Sequence, residues 1–420
     1  MKPSSTPSWK LIGPGVLVAA TGVGAGDLAT ATFTGVHLGC AVLWAVLVGA
    51  VLKYVLNEGL TRWQLVTGTT LLEGVLAHLG SVARWTFLVY LIVWSYLVAM
   101  ALMSACGAAA YAIYPIVDHA SRGKVLYGAL HSLLAVVLIG AGGYRLFELV
   151  MRVCIGLMFV TVICTATLLA PNPSEILMGM FVPRIPQFYD GGLAWTIALL
   201  GGVGGTVTIL CYGYWIREEH RQSVDDLPLC RLDLAIGYAM TALFGLAMVI
   251  IGSRIGQLDA TGVTLIIEVA NLLEARLASG GPAAKWAFLA GAWGAVFSSL
   301  LGVWQSVPYL FADYWSQWRS GGKRSTAVSS RSLLYKSYLL LIATVPISGL
   351  IFFHFRTAMK INGMIGAMFI PMLTTALLIL NGSRRWMGTE YRNSWSTNAL
   401  LILTLIVSVV AGGMQIASSW

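Results

Sequence analysis

The feature that most constrains this chain is a succession of apolar blocks, each close to twenty residues long. A helix needs about twenty apolar residues to cross roughly 30 Å of hydrocarbon. Only 10% of the 420 residues are charged and 58% are hydrophobic, whereas a soluble domain carries about 25% charged residues. Since lipid offers the backbone no water, and no alternating ten-residue pattern appears, the blocks are predicted to be membrane-spanning helices.

The predicted fold class is an all-α integral membrane protein with about eleven transmembrane helices. Residues 1–420 are predicted to form a single membrane domain. A short segment at 261–276 is helical in period and is expected to be either an interfacial helix on the outer face or an ordinary loop helix. The predicted spans lie near 11–34, 39–60, 85–112, 125–142, 147–170, 192–215, 232–253, 284–311, 333–354, 359–381 and 396–417.

The basic residues predict the orientation of the chain. The net charge is +9. If the N-terminus lies inside, Lys and Arg favour the cytoplasmic segments by about two to one. We therefore expect a multi-pass protein of the cell membrane, a bacterial inner membrane in view of the short loops, with a cytoplasmic N-terminus and an outside C-terminus. The basic balance indicates anionic lipid as a partner and argues against nucleic acid. It favours no particular oligomeric state.

Glycine clusters interrupt the first and the sixth predicted spans. Each glycine opposes a continuous helix by about 1 kcal/mol. Two breaks five spans apart are typical of inverted-repeat transporters, in which unwound carbonyls and half-helix ends meet at the midplane and bind the cargo. Close helix packing through small residues is the alternative explanation. The clusters are Gly22, Gly24 and Gly26 in the first span and Gly201, Gly202, Gly204 and Gly205 in the sixth.

Asp27 is the most informative single residue of the first break. A carboxylate in mid-membrane costs several kcal/mol, so it normally faces a cavity or a partner. Asp27 follows the glycines, where the start of the second half-helix would stabilise its negative charge. It is expected to bind a cation or a substrate ammonium group, or else to cap free backbone N–H groups. Thr208 follows the second break, and its hydroxyl is a candidate oxygen ligand facing Asp27.

Lys53 and the third span complete the set of informative features. Lys53 lies within the second span and is expected either to reach the interface or an ion pair, or to take the place of a cation. Between Trp85 and Ala112 the third span has no Asp, Glu, His, Lys or Arg, so it lacks the groups of a proton relay. No nucleotide-binding loop and no hydrolase motif occurs, so the chain is predicted not to be an enzyme and to need no cofactor.

Several stretches resemble the Nramp family of divalent metal transporters. They are the opening GPGVLVAATGVGAGDLAT, RWQLVTG followed by LLEG, YRLFELVMRVCIGLM, and the stretch from Pro371 through ILNGSRRWMGTEYRNSWSTNALL. The resemblance runs through most of the chain. It implies a LeuT-like 5+5 inverted repeat with broken helices 1 and 6. Repeat one would lie at about 11–170, repeat two at about 192–381, and an extra helix at about 396–417.

The aligned site departs from the family pattern. Gly24, Ala25, Gly26 and Asp27 stand where the family has Asp-Pro-Gly-Asn. In the sixth span Gly205 replaces Ala, Thr208 replaces the metal-binding Met, and Leu210 replaces a His linked to proton movement. The two acidic residues of the family's third span are also missing. Some relatives that lack the Met and these acids are magnesium transporters without proton coupling, although here the carboxylate is also moved by three residues.

These changes favour a hard cation. Methionine sulfur selects soft transition metals, whereas carboxylate, hydroxyl, carbonyl and water suit Mg²⁺. The first hypothesis is a transporter of Mg²⁺ or Mn²⁺ without proton coupling, with Gly24, Asp27, Gly205 and Thr208 at the site and Asp27 and Thr208 as metal ligands. The second is a transporter of a small organic cation or amino acid on the same fold. The third is a membrane receptor or scaffold that transports nothing.

Overall fold

The structure, a computed structural model, describes residues 13–254, 263–276, 280–319, 329–352, 365–366 and 368–417. These residues contain helices and no strand. The α-helices are α1 (Pro14–Gly22), α2 (Ala25–Leu38), α3 (Leu43–Thr67), α4 (Leu71–His78), α5 (Gly80–Ile113), α6 (Ala120–Leu169), α7 (Pro173–Phe181), α8 (Leu193–Gly202), α9 (Cys211–Glu218), α10 (Leu227–Gly252), α11 (Val263–Arg276), α12 (Gly281–Arg319), α13 (Leu333–Thr344), α14 (Ile347–Phe352), α15 (Phe369–Leu380), α16 (Arg384–Met387) and α17 (Trp395–Ala417).

Each predicted span is mainly helical where it falls in the described residues, which confirms the all-helical fold class. Residues 353–364, which belong partly to the predicted tenth span, lie outside the described residues. Eight helical stretches of the described chain are long and apolar enough to cross a membrane. The number is smaller than eleven partly because α6 counts once, although Gly143 (φ 60°, ψ −164°) interrupts it between the predicted fourth and fifth spans. The count of eleven stays a prediction.

The distribution of apolar side chains identifies lipid as the outer solvent. Along α6 the side chains of Val137, Val153 and Val160 are all more than 60% exposed. Trp63 and Trp304, which are large enough to fill a core, are fully buried. An outward-facing aliphatic surface of this extent would aggregate in water. The predicted segment 261–276 forms α11, which packs on α5 and α12 with Val269 and Leu273 buried.

α10 is the element against which both halves of the first span pack, because it contacts α1, α2 and α3. At its crossing with α1 the two backbones approach so closely that only glycine fits. A Cβ on Gly237 would overlap the carbonyl of Gly15, and a Cβ on Gly15 would overlap the carbonyl of Asp233. Small residues at a helix crossing are the usual way in which membrane helices gain packing energy. The crossing fixes the start of α1 on α10.

Replacement of Gly237 by Ala tests this crossing. Gly→Ala in a helix normally stabilises by about 0.5–1 kcal/mol, but here the added methyl group would push α1 away from α10. We expect Gly237→Ala to lower the melting temperature of the purified protein in detergent. Gly156→Ala, on the lipid-facing side of α6 where a Cβ meets nothing within 4 Å, is the matched control and should leave it unchanged or higher. Equal melting temperatures for the two variants would contradict the assigned crossing.

Candidate functional site

The first predicted break is present between α1 and α2. α1 ends at Gly22 and α2 begins at Ala25. Val23 has φ −82° and ψ 62°, outside the helical region. Its N–H still donates to the Ala19 carbonyl at 2.9 Å, and the next helix opens with the Leu28 N–H on the Gly24 carbonyl at 3.0 Å. The first span is therefore two half-helices joined by Val23 and Gly24.

The second break is longer and contains two residues in the left-handed region. α8 ends at Gly202, and the chain then runs through Val203–Thr206 into a 3₁₀ turn at Val207–Leu210 and on to α9. Gly204 and Gly205 have φ of +85° and +78°. Residues with a Cβ rarely adopt such angles. The glycine cluster is therefore required by the backbone conformation.

The two breaks lie against each other. A Cβ on Gly22 would lie 3.0 Å from the carbonyl carbon of Gly204, and one on Gly205 would lie 3.3 Å from the Cα of Gly22. We call the residues Ala20–Gly24 and Val203–Thr208 the break junction. Since no side chain separates the two unwound segments, their backbones are in direct contact inside the bundle. The prediction that two interrupted helices meet is confirmed.

Hydroxyl groups from α12 line one side of the break junction. The Ser298 and Ser299 hydroxyls donate to the Ala20 carbonyl at 3.2 Å and 3.1 Å. The last carbonyls of a helix have no partner within the helix, so these serines stabilise the end of α1. The neighbouring Thr21 hydroxyl is buried and has no hydrogen-bond partner among the described residues. It packs against Gly302 of α12, where a Cβ would overlap the hydroxyl.

The structure places the predicted site residues in different parts of the junction. Gly205 and Thr208 are neighbours, because a Cβ on Gly205 would overlap the Thr208 hydroxyl, and Thr208 is buried. Gly24 faces α12 and α5, where its Cβ would lie 3.2 Å from the Ser299 hydroxyl and 3.7 Å from Leu102. Asp27 belongs to the first turn of α2, and its side chain lies outside the described part of the structure. The expected pairing of Asp27 with Thr208 stays a prediction.

The sequence left the role of Lys53 open. Lys53 lies in α3, is 2% exposed, and donates a hydrogen bond from Nζ to the Gly205 carbonyl. The expectation that Lys53 reaches the membrane interface is therefore wrong, because its side chain points into the bundle and ends at the second break. The alternative, that it takes the place of a cation, agrees with this geometry, and the ion pair also expected for Lys53 stays a prediction.

A buried carboxylate ties the start of α1 to α9 and α10. Asp233 is 0% exposed. It accepts hydrogen bonds from the Gly15 N–H at 2.9 Å, the Tyr212 hydroxyl at 3.0 Å and the Arg221 guanidinium at 3.1 Å. The predicted topology puts this group at the inner end of the bundle. We name these four residues the α1 clasp.

Two further polar clusters lie at the same end of the helices. Glu73 of α4 pairs with Arg217 of α9 at 3.2 Å. In α12, Asp313 accepts from the Tyr214 hydroxyl at 2.7 Å. No local sequence pattern distinguishes these carboxylates and Asp233, since each stands near the end of an apolar block, where a charge normally faces water. Glu58, also near the inner end of α3, pairs with Arg62 at 3.2 Å and with Arg231 at 2.8 Å.

The oxygen atoms of the junction differ from those of a preformed protein cage for a metal. Among the described residues no group of three or more His, Cys, Asp or Glu side chains is close enough to hold an ion. The oxygen atoms that line the junction belong to hydroxyls and main-chain carbonyls. A small cavity adjoins the junction between α2, α8 and α10, lined by Val23, Thr30, Ala31, Val203, Thr241 and Phe244. Its walls are mainly apolar.

The bundle with two interrupted helices belongs to a known class of membrane protein folds. A point mutant of the manganese transporter of Eremococcus coleocola matches it with a TM-score of 0.78 at 17% identity, over 99% of this chain and 88% of that one. MhsT, solved in complex with L-phenylalanine, matches it with a TM-score of 0.57 at 16% identity, over 97% of this chain and 98% of MhsT. At these identities the likeness shows the fold alone, and it confirms the predicted LeuT-like class.

The chain belongs to the Nramp family, since the model of natural resistance-associated macrophage protein-like sequences matches residues 15–418. The divalent metal cation transporter MntH of Chromohalobacter salexigens is 24% identical over 277 residues, 61% of either chain. The metal transporter Nramp3 of Oryza sativa subsp. japonica is 26% identical over 200 residues, 47% of this chain and 35% of the rice protein. The chain thus aligns with less than two thirds of the length of each of these relatives.

A double-mutant cycle on Asp233 and Arg221 tests the α1 clasp. Removing one partner of a buried ion pair leaves an uncompensated charge, which typically costs about 3–5 kcal/mol. We expect Asp233→Asn and Arg221→Gln each to lower the free energy of unfolding, with a coupling energy of roughly 1–3 kcal/mol in the double variant. The measurement is denaturant unfolding in mild detergent.

The pair Glu148–Arg152 provides the control for this cycle. It is also an Asp/Glu–Arg pair, but its Arg side chain is 43% exposed. Exposed pairs of this spacing contribute about 0.3–0.5 kcal/mol. A coupling energy for Asp233 and Arg221 no larger than that for Glu148 and Arg152 would show that the clasp does not hold α1.

Proposed function

We propose that this chain is a secondary transporter, and not an enzyme, that carries a hard divalent cation across the membrane through the break junction. Mg²⁺ and Mn²⁺ are the cargoes that its donor atoms suit best, and transport is not coupled to protons. The observation that carries the proposal is the direct contact of Gly22 with Gly204 and Gly205. Unwound backbone at membrane depth is tolerated only inside protein or around a cavity, and it exposes carbonyls that can bind a cation.

The donor set supports a hard cation. Thr208 and the carbonyls near Gly24 and Gly205 offer only oxygen, and Asp27 would add one carboxylate from the start of α2. Mg²⁺ keeps several of its waters and needs only one or two carboxylates. The family's sulfur ligand is replaced by Thr208, which removes the preference for a soft transition metal. The names of the relatives from Chromohalobacter salexigens and rice, both metal transporters, support the same class of cargo.

The third span supports transport without protons. α5 borders the junction, where Leu102 lies next to Gly24. Between Trp85 and Ala112 this helix carries no Asp, Glu, His, Lys or Arg. A proton relay through the membrane normally needs a chain of such groups. Leu210 of the 3₁₀ turn is also buried and cannot titrate.

The α1 clasp supports alternating access. A cation held at the junction can reach the predicted inner side only if α1 moves away from α9 and α10. Asp233 holds the Gly15 N–H and the Tyr212 hydroxyl together, so the described arrangement is closed at that end. Release of the clasp would be part of the step that opens the inner side.

A second candidate function is favoured by Lys53 alone. With an ammonium group at the Gly205 carbonyl and a carboxylate at Asp27, the junction would carry no net charge. A neutral zwitterion such as an amino acid suits such a site better than a divalent ion does, because its two charges can each meet an opposite one. Thermal-shift titration distinguishes the candidates: stabilisation by amino acids or amines, with none by MgCl₂ or MnCl₂, would favour this second function.

Flux measurements on two variants test the site. In proteoliposomes we expect Asp27→Ala to abolish Mn²⁺ and Mg²⁺ uptake, since the only carboxylate assigned to the site is lost. Thr208→Val should raise the half-saturating concentration about tenfold, which corresponds to one lost ligand of about 1.4 kcal/mol. Thr165→Val, a buried threonine of α6 that bonds within its own helix, is the matched control. If Asp27→Ala transports as well as the parent, the site is wrongly assigned.

The independence from protons is tested separately with the parent protein. Uptake of Mn²⁺ driven by its own gradient should proceed at the same rate with equal pH on both sides and with the inside alkaline by one unit. A pH-sensitive dye inside the liposomes should report no proton entry with the metal. Acidification of the lumen in proportion to metal uptake would overturn the uncoupled mechanism while leaving the cargo unchanged.

A further inference from the structure

Lys53 meets a carbonyl that the helix break has left without its usual donor. In a continuous helix the Gly205 carbonyl would accept from the Ile209 N–H. Here that N–H donates to the Thr206 carbonyl at 3.1 Å, because the chain leaves the left-handed residues through a 3₁₀ turn. The Lys53 ammonium supplies a donor to the Gly205 carbonyl instead.

The position of the lysine stem shows that this contact is built into the bundle. A Cβ on Gly204 would lie 3.6 Å from Lys53 Cγ and 3.0 Å from the Tyr238 ring. The aliphatic part of Lys53 therefore runs alongside the second break, and a larger residue at Gly204 would obstruct it. Lys53 is 2% exposed, so its ammonium group is stabilised by carbonyl contact within the protein and not by water.

Building on the proposed function, we propose that Lys53 is a tethered cation that occupies the Gly205 carbonyl when the site is empty and is displaced when the divalent cargo binds. The ammonium group satisfies the exposed backbone of the break in the empty carrier, as the cargo does in the loaded one. The empty carrier can then change its orientation without a second, coupling ion. Lys53 is thus a specificity-determining residue that lowers the affinity for the cargo.

Electrostatic repulsion explains why Lys53 should lower the affinity for the cargo. Two positive charges a few ångströms apart repel strongly in the low-dielectric interior of a membrane protein. A cation at the Gly205 carbonyl must therefore push the ammonium aside, and part of its binding free energy is spent on that movement. If the lysine instead stabilised the fold without competing, removal of its charge would leave the affinity unchanged or lower.

Binding titrations with three variants test the charge apart from the hydrogen bond. Lys53→Gln keeps a donor for the Gly205 carbonyl but removes the charge, and Lys53→Met removes both. Lys53→Arg keeps the charge. In calorimetric titration of the full-length protein with MnCl₂, we expect the two uncharged variants to bind about tenfold more tightly or better. Lys53→Arg should bind no more tightly than the parent.

A matched lysine controls for the general effect of losing a positive charge. Lys124 is also buried, at 7% exposure, but it lies in the first turns of α6, where its backbone packs on Gly107 of α5. Lys124→Met should leave Mn²⁺ affinity at the parental value. In liposomes Lys53→Met should also retain metal exchange while losing net uptake, since its empty carrier returns with an unsatisfied carbonyl.

The outcomes distinguish failure of the tethered cation from failure of the proposed function. Parental or weaker Mn²⁺ affinity in folded Lys53→Gln, with a parent that transports the metal, overturns the tethered cation and leaves the proposed function standing. Loss of Mn²⁺ binding in Lys53→Gln with retention in Lys53→Arg would also overturn the tethered cation, since it would show that the lysine charge supports binding and does not oppose it. A parent that neither binds nor moves Mn²⁺ or Mg²⁺ overturns the proposed function and this inference together.

Discussion

The need to satisfy backbone carbonyls away from water governs the architecture of this protein. A helix that stops in mid-membrane exposes polar groups, and each group left unsatisfied costs about 1–3 kcal/mol. Here the two interruptions are stacked on each other through Gly22, Gly204 and Gly205, so neither faces lipid. Serine hydroxyls from α12 satisfy one exposed carbonyl, and a lysine from α3 satisfies another. The site is formed by the same groups that make the breaks tolerable.

Charge inside the bundle is arranged in two zones with different chemistry. Toward the predicted inner end the buried carboxylates Asp233, Glu73 and Glu58 each meet an arginine. Such pairs gain little net stability, because desolvation offsets the attraction, but breaking one is costly. They are therefore suited to hold helices in one of two positions. At the break junction, in contrast, the described contacts are between hydroxyls, an ammonium group and main-chain carbonyls.

The sequence predicted the elements of this fold far better than their contacts. Apolar block length predicts the helices because the hydrocarbon thickness sets that length, and glycine clusters predict the breaks because glycine weakens helices locally. The contact between Lys53 and Gly205 spans 152 positions of the chain. No local pattern encodes it, and a lysine near the inner half of a span looks the same whether it reaches the interface or the core. Asp233 was missed for the same reason, since a carboxylate at the start of an apolar block normally faces water.

The choice of lysine over arginine fits a charge that has to move. An arginine guanidinium forms several hydrogen bonds in a fixed plane, whereas an ammonium group is a compact charge on a flexible stem. Lys53 can therefore leave the Gly205 carbonyl by rotating its side chain while α3 stays packed on α10. An immobile charge would exclude a cation permanently. An apolar residue would leave the Gly205 carbonyl of the empty break without a hydrogen-bond donor. A flexible tethered ammonium meets both requirements, because the cargo and the lysine occupy the same carbonyl in turn.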